Sequence, residues 1–441
     1  MHVRSWHKLV SALAGAVLLS GTMVTLGAAA GTAVVAGAST SHSLGAAAPA
    51  DFGGVTLGDF VVETAAVTNN NSSGTITVAG DEVSGANPDD FFAFPDPGCQ
   101  FVDNNFDIVL APGQSCNLDY FFNPGAIGTR TATVTLFDNS STPIPLAAVP
   151  VSGTGSIGYY QVSDSGQVAP FGDAGFYGDA SQMPLNHPIV GMAQTGDDGG
   201  YWLAASDGGI FNYGDATFEG SAGGMHLNKP IVGMASTGDG QGYWLVATDG
   251  GIFTYGDAPF DGSTGAMALN KPIVGMAATN DGGGYWLVAS DGGIFAFGDA
   301  QFYGSTGSMH LNQPIVGMAS TPDGRGYWLV AADGGIFAFG DAPFYGSAGN
   351  LHLNQPITGM AAMPDGSGYW FTAADGGLFS YGAPFYGSAA SQGIGRVVGM
   401  ATDGFPTAQA QNDAPAARHH DAPREGGWTA PPSGELRHAG P

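Results

Sequence analysis

Pro314-Ile315-Val316-Gly317-Met318-Ala319, Gly326-Tyr327-Trp328-Leu329-Val330-Ala331, Asp333-Gly334-Gly335-Ile336-Phe337-Ala338-Phe339 and Phe344-Tyr345-Gly346-Ser347 follow one another in the chain and make one unit of a repeat. Pro314 to Ala319 reads as a first strand, and Pro322-Asp323-Gly324 as a turn. Gly326 to Ala331 reads as a second strand. Asp333-Gly334-Gly335 has the glycines that a tight hairpin needs, because glycine tolerates positive φ. Ile336 to Phe339 is a third strand and Phe344-Tyr345-Gly346 a short fourth. The unit recurs in register: Trp202, Trp244, Trp286, Trp328 and Trp370 stand at a constant step of 42 residues, with Tyr160 one step upstream. Aspartates keep the same step at Asp173, Asp215, Asp257, Asp299 and Asp341, while the sixth copy has Gly382-Ala383 instead. Four strands in about 42 residues is the size of one β-propeller blade.

The ends of the repeat region predict closure. The first unit begins at Gly158-Tyr159-Tyr160, in register with the second strand, and so lacks a first one. After the last unit comes Arg396-Val397-Val398-Gly399-Met400-Ala401, a surplus first strand. Joining the two gives a six-bladed propeller over residues 156–405 with no open sheet edge. The rival is an open stacked solenoid, which would not need its missing strand supplied from the far end.

Composition agrees with an all-β chain. Of 441 residues, 74 are glycine and 27 proline, which disfavours long helices. Hydrophobic residues reach 44% and aromatics 11%, enough to build cores. Ten Lys+Arg against 37 Asp+Glu give a formal charge of -27. Nucleic-acid binding needs clustered cations, and none occur, so no nucleic-acid partner is expected. Adhesion to an anionic lipid surface by charge is disfavoured for the same reason.

Residues 1–50 read as a signal peptide and low-complexity leader. Arg4 and Lys8 precede an uncharged apolar run from Leu9 to Leu26, and alanine-rich triplets follow at 28–30, 36–38 and 46–48. An uncleaved anchor is the alternative, since the run is long enough to span a bilayer. After cleavage no stable membrane span is expected. The address is therefore secreted, extracellular or cell-surface. In such a chain the two cysteines, Cys99 and Cys116, point to a disulfide, with two free buried thiols as the alternative. Residues 406–441, rich in Ala, Pro, Gly and charge, read as a disordered tail.

Residues 51–155 alternate short apolar runs with turns such as Asn69-Asn70-Asn71, Ala111-Pro112-Gly113 and Asn123-Pro124-Gly125, the pattern of a β-sandwich. Asp51-Phe52-Gly53, Val67-Thr68-Asn69, Leu110-Ala111-Pro112-Gly113-Gln114-Ser115-Cys116, Phe122-Asn123-Pro124 and the closing Val151-Ser152-Gly153-Thr154-Gly155 carry a resemblance. The module resembles the immunoglobulin-like domains of the choice-of-anchor D and ASPM/SPD-2/Hydin group. That resemblance implies an extracellular spacer or adhesion-type domain without catalytic residues. The 42-residue unit is similar to the Gly-Tyr-Trp-Leu-Val-Ala…Asp-Gly-Gly-Ile-Phe…Phe-Tyr-Gly-Ser repeats of secreted actinobacterial proteins. More weakly, it is similar to TolB-like blades.

Recurring tryptophans at Trp202, Trp244, Trp286, Trp328 and Trp370 look like a sugar-stacking set and are candidate ligand contacts, but each lies in Tyr-Trp-Leu/Phe at one strand position, which favours packing of blade against blade. Thr195 to Trp202 and Thr279 to Trp286 fit the T-x-D-x-G-x-x-W spacing of the Asp boxes of sialidases and other propellers, which usually cap hairpins. No cofactor is expected. Calcium is the alternative, with Asp197 beside Asp198 as the best local pair, although one aspartate per turn falls short of the six to eight oxygens calcium takes. His226, His310 and His352 recur but would lie apart on a ring. No nucleophile elbow, zinc-binding helix or phosphate loop is present. The expectation is a monomeric, non-catalytic recognition or scaffold protein with an extracellular glycan or protein partner. The alternative is a carbohydrate-active hydrolase or a lectin acting on cell-wall or environmental polysaccharide.

Overall fold

The computed structural model describes residues 44–49, 51–57, 59–96, 98–101, 107–196 and 198–403. The leader up to residue 43, the expected tail and Asp197 lie outside the described residues. The described chain is all-β; its helical content is two short 3-10 turns, Pro88–Asp90 and Ala389–Ser391. None of its helices is long and apolar enough to cross a membrane.

Two four-stranded sheets form the first module. One carries, in spatial order, Leu44–Ala46, Val61–Asn69, Ser115–Phe122 and Phe91–Pro95. The other carries Gly54–Thr56, Pro145–Ser156, Gly128–Phe137 and Gly80–Ser84, and a small two-stranded sheet pairs Ile76–Val78 with Ile108–Leu110. Side chains alternate between faces along a strand, so one face of each sheet can be apolar. The inward set, Val67, Leu118 and Phe122 from one sheet with Val134, Leu136 and Val149 from the other, makes a single core. Cys99 and Cys116 are disulfide-bonded, with Cα atoms 5.5 Å apart. The module starts earlier than the expected boundary at residue 51. Leu44–Ala46 pairs antiparallel with Val67–Asn69, and Leu44 is buried in the core.

Six three-stranded antiparallel sheets follow, each with an inner, a middle and an outer strand. In the fifth these are Ile315–Ser320, Gly326–Ala331 and Ile336–Gly340. Each inner strand lies beside the inner strands of the sheets before and after it, and the last meets the first, so the six make a closed ring. The first sheet is built from both ends of the repeat region. Its middle and outer strands are Gly158–Ser163 and Val168–Gly172, and its inner strand is Val397–Thr402, with Tyr160 opposite Ala401 and Gln161 opposite Met400.

Middle strands such as Gly326–Ala331 are buried at every position, because a neighbouring sheet covers each face. Tyrosine and tryptophan alternate there, one facing back and the other forward. Trp202 therefore meets Tyr243, Trp244 meets Tyr285, Trp286 meets Tyr327, Trp328 meets Tyr369 and Trp370 meets Tyr159, at ring-centroid distances of 5.2–5.7 Å. Tyr160 packs edge-on against Tyr201 at the sixth junction. Every junction thus has at least one aromatic pair, at a spacing where such pairs attract beyond their burial.

The expected fourth strand does not form. Phe344-Tyr345-Gly346 runs as irregular chain after the outer strand. Pro343 has no N–H to give a ladder, and Gly346 sits at φ +145°, off the strand region. Its backbone groups are satisfied by side chains instead, as described below.

A single residue, Ile157, separates the first module from the ring. Leu57 and Ile127 pack into the same core as Ile157, Tyr159, Trp370 and Val397. Thr56 Oγ1 and Ser156 Oγ donate to the Asp173 carboxylate at 3.0 and 2.6 Å. These contacts fix the first module directly on the first sheet.

Candidate ligand-binding surface

The five tryptophans are not ligand contacts. Each is fully buried, and each indole Nε1 donates to a backbone carbonyl of its own repeat: Thr217, Pro259, Gln301, Pro343 and Pro384, at 2.6–2.8 Å. A stacked sugar would have to displace the next sheet to reach them.

The carbonyls that they hold immediately precede a phenylalanine. Phe218, Phe260, Phe302, Phe344 and Phe385, with Phe176 in the first repeat, are between 57% and 63% exposed. The backbone just after each phenylalanine is held by the buried tyrosine of the following sheet. Tyr369 Oη accepts from the Tyr345 and Gly346 amides at 3.1 and 3.0 Å and donates to the Gly346 carbonyl at 2.7 Å. Tyr327 does the same at Tyr303 and Gly304, while Tyr243 and Tyr285 accept from the Glu219 and Asp261 amides and donate to the Gly220 and Gly262 carbonyls. Tyr201 holds Tyr177 and Gly178, and Tyr159 holds Tyr386 and Gly387 across the closing junction. Burial pushes the phenols of Tyr201 and Tyr243 up to about 12, so they stay protonated donors. Phe344 is thus pinned by Trp328 on one side and Tyr369 on the other. Phe176 has the tyrosine half alone, since Tyr160 replaces tryptophan and its hydroxyl finds no hydrogen-bond partner among the described residues.

Sequence reading missed these phenylalanines. The signal was present, since each stands at the same place in its repeat, but the segment was assigned to a fourth strand.

The turn aspartates cap hairpins. Asp239, Asp281, Asp323 and Asp365 each accept from the amide two residues on, at 2.9–3.2 Å. In three repeats a threonine hydroxyl sits between two carboxyls: Thr237 Oγ1 lies 2.9 Å from Asp239 and 3.2 Å from Asp257. The same triad recurs at Thr279 with Asp281 and Asp299, and at Thr321 with Asp323 and Asp341. Burial and the Asp239 charge raise Asp257 above the usual carboxylate range. Asp239 itself is desolvated, but hydrogen bonds from the Gln241 amide, Thr237 and Asp257 outweigh that and lower it. The pair therefore loses its first proton readily and keeps its second. Among the described residues no three His, Cys, Asp or Glu side chains converge on a metal-sized site. Asp197, half of the expected calcium pair, is outside them. His226, His310 and His352 stand exposed on separate loops.

Around the ring axis, Val190, Val232, Val274, Val316, Thr358 and Val398 occupy the second position of each inner strand and line a cavity of about 370 Å³. Arg396 stands at its wall as the one charged residue of the lining. The lining is otherwise apolar, with the Thr358 hydroxyl as its one other polar side chain, so the cavity suits a small apolar body.

No known protein family matches the chain, and no curated protein does. Among solved structures, the chain is similar to a structural-genomics protein of unknown function from Bacteroides thetaiotaomicron, at TM-score 0.42 and 12% identity, over 77% of this chain and 83% of that one. It is also similar to the β-propeller domain of Cps50 (Swd1) from Myceliophteria thermophila, at TM-score 0.33 and 11% identity, over 55% of this chain and 84% of that one.

Proposed function

We propose that the chain is an exported, non-catalytic recognition scaffold in which a six-bladed β-propeller meets an extracellular glycan or protein and an immunoglobulin-like sandwich serves as its spacer. The observation that carries this reading is the set of six exposed phenylalanines, each presented by the ring's own buried aromatics. Loops held this firmly present side chains at little entropic cost, which favours binding. The export reading is supported by the basic, apolar and small-residue order of the leader and by the disulfide. The six sheets correspond to six blades, with the first completed by the strand at Val397–Thr402.

The test is retention without turnover. Purified full-length protein is incubated with intact bacterial cells and with isolated cell walls, and the bound fraction is measured beside the release of soluble reducing ends. Saturable retention with no release above a heat-denatured control is expected. Steady release of fragments, or no retention on either material, would overturn the reading.

A further inference from the structure

We propose that the six phenylalanines, Phe176, Phe218, Phe260, Phe302, Phe344 and Phe385, form one multivalent surface for a neutral polysaccharide, each phenyl taking the face of one sugar ring. This rests on the recognition reading above and names its partner.

The fold does not require phenyl rings at these positions. The pinning by tryptophan and tyrosine acts wholly through backbone atoms on either side, so any side chain would satisfy it. The flanking residues do vary, from Thr217 through Pro259 to Gln301 before the ring, and from Glu219 through Asp261 to Tyr303 after it. The phenyl is present in all six copies and exposed in all six. An exposed phenyl costs hydration, so its repetition on a braced backbone points to contact with something outside the chain.

The partner's chemistry follows from isolation and charge. Among the described residues none of the six rings stacks on another aromatic. Each stands in its own repeat, one at each junction between sheets, so the phenyls recur round the ring as single units, whereas a stable protein partner needs a contiguous patch of roughly 800 Å². A pyranose offers a small apolar C–H face of matching size, attracted to the negative face of a phenyl ring. A polymer of such units can meet several spots at once, which multiplies weak single contacts. With a formal charge of -27, and with Glu219 and Asp261 beside two of the rings, the surface repels anionic polymers. A neutral chain remains.

The experiment uses the full chain in sedimentation assays with cellulose, chitin and insoluble β-1,3-glucan, and gel retardation with alginate as the anionic probe. Binding to at least one neutral polymer and none to alginate is expected. A Phe260→Ser/Phe302→Ser/Phe344→Ser variant with an unchanged melting curve should bind at least about 100-fold more weakly, the scale of lost avidity. The matched Phe→Tyr triple should retain binding. Met225→Ser/Met267→Ser/Met309→Ser removes equally exposed side chains from a different turn and should leave binding intact. Full binding by the serine triple, binding to no neutral polymer, or preference for alginate would overturn the proposal. Retention on cells that survives the serine triple would sink this inference and spare the recognition reading; absence of retention by the unaltered chain on cells, walls and every polymer would sink both.

Discussion

At Asp403 the first sheet departs from its neighbours. The equivalent position is Thr195, Thr237, Thr279 and Thr321 in four other sheets, where a hydroxyl serves the turn without bringing charge. Asp403 is 3% exposed, and its Oδ1 accepts from Gln194 Nε2 at 2.8 Å, joining the last inner strand to the second sheet. Burial, opposed by the Gln194 hydrogen bond and aided by the Asp173 charge, pushes its carboxyl up to about 6. The unfolded value is near 4, so between about pH 4 and 6 the folded chain binds the extra proton. Stability from this group is therefore present in acid and lost as pH rises through 6, a cost of about 2–3 kcal/mol at neutrality. Asp403→Asn should melt higher than the unaltered chain at pH 7.5, and the two should converge below about pH 4 in calorimetry; parallel curves over that range would refute the assignment. Substitution of Asp for Thr was visible in the repeat register. Its burial was not, because that depends on strands hundreds of residues apart. The tryptophans are the opposite case. Their shared strand position favours packing of sheet on sheet, and their full burial agrees, although a periodic aromatic looks alike whether it stacks on sugar or on the next sheet and only the covering of both strand faces decides.

Strands and turns were the most legible level. Inner, middle and outer strands fall where apolar runs bounded by Asp-Gly-Gly and Pro-Asp-Gly placed them, because glycine and proline punctuate a β chain strongly. The fourth strand failed since Phe-Tyr after a proline has strand-like composition, and composition cannot reveal that a distant hydroxyl takes the amides a ladder would use. That substitution can be measured. Tyr327→Phe removes the hydroxyl serving the Tyr303 amide and both polar atoms of Gly304. Stranding fully buried backbone groups costs about 1–3 kcal/mol, and these are partly buried, which places the cost toward the lower end. A loss of that size in denaturant midpoint is expected, with amide exchange accelerated at residues 302–304 and unchanged in the Ile336–Gly340 strand. Protection that stays as before would show that the hydroxyl does not brace the loop.

Across the whole molecule, the ring's integrity depends on one short strand. Val397–Thr402 completes the first sheet and touches the inner strands of the second and the sixth. A chain ending before Arg396 should lose the single cooperative transition of the ring, followed by circular dichroism on heating. Removal of Pro406 to Pro441 should leave it. An unaltered melt in the shorter chain would mean that the six sheets do not depend on closure. The order of synthesis gives this strand a further consequence. Gly158–Ser163 leaves the ribosome early, and its partner arrives only after five other sheets have been made. Until then the first sheet presents a bare edge, and pairing so remote in sequence is slow. The growing chain must be kept from pairing with the wrong strand throughout that interval. Once shut, the same latch makes unfolding of the ring from either of its ends start with the breaking of one seam.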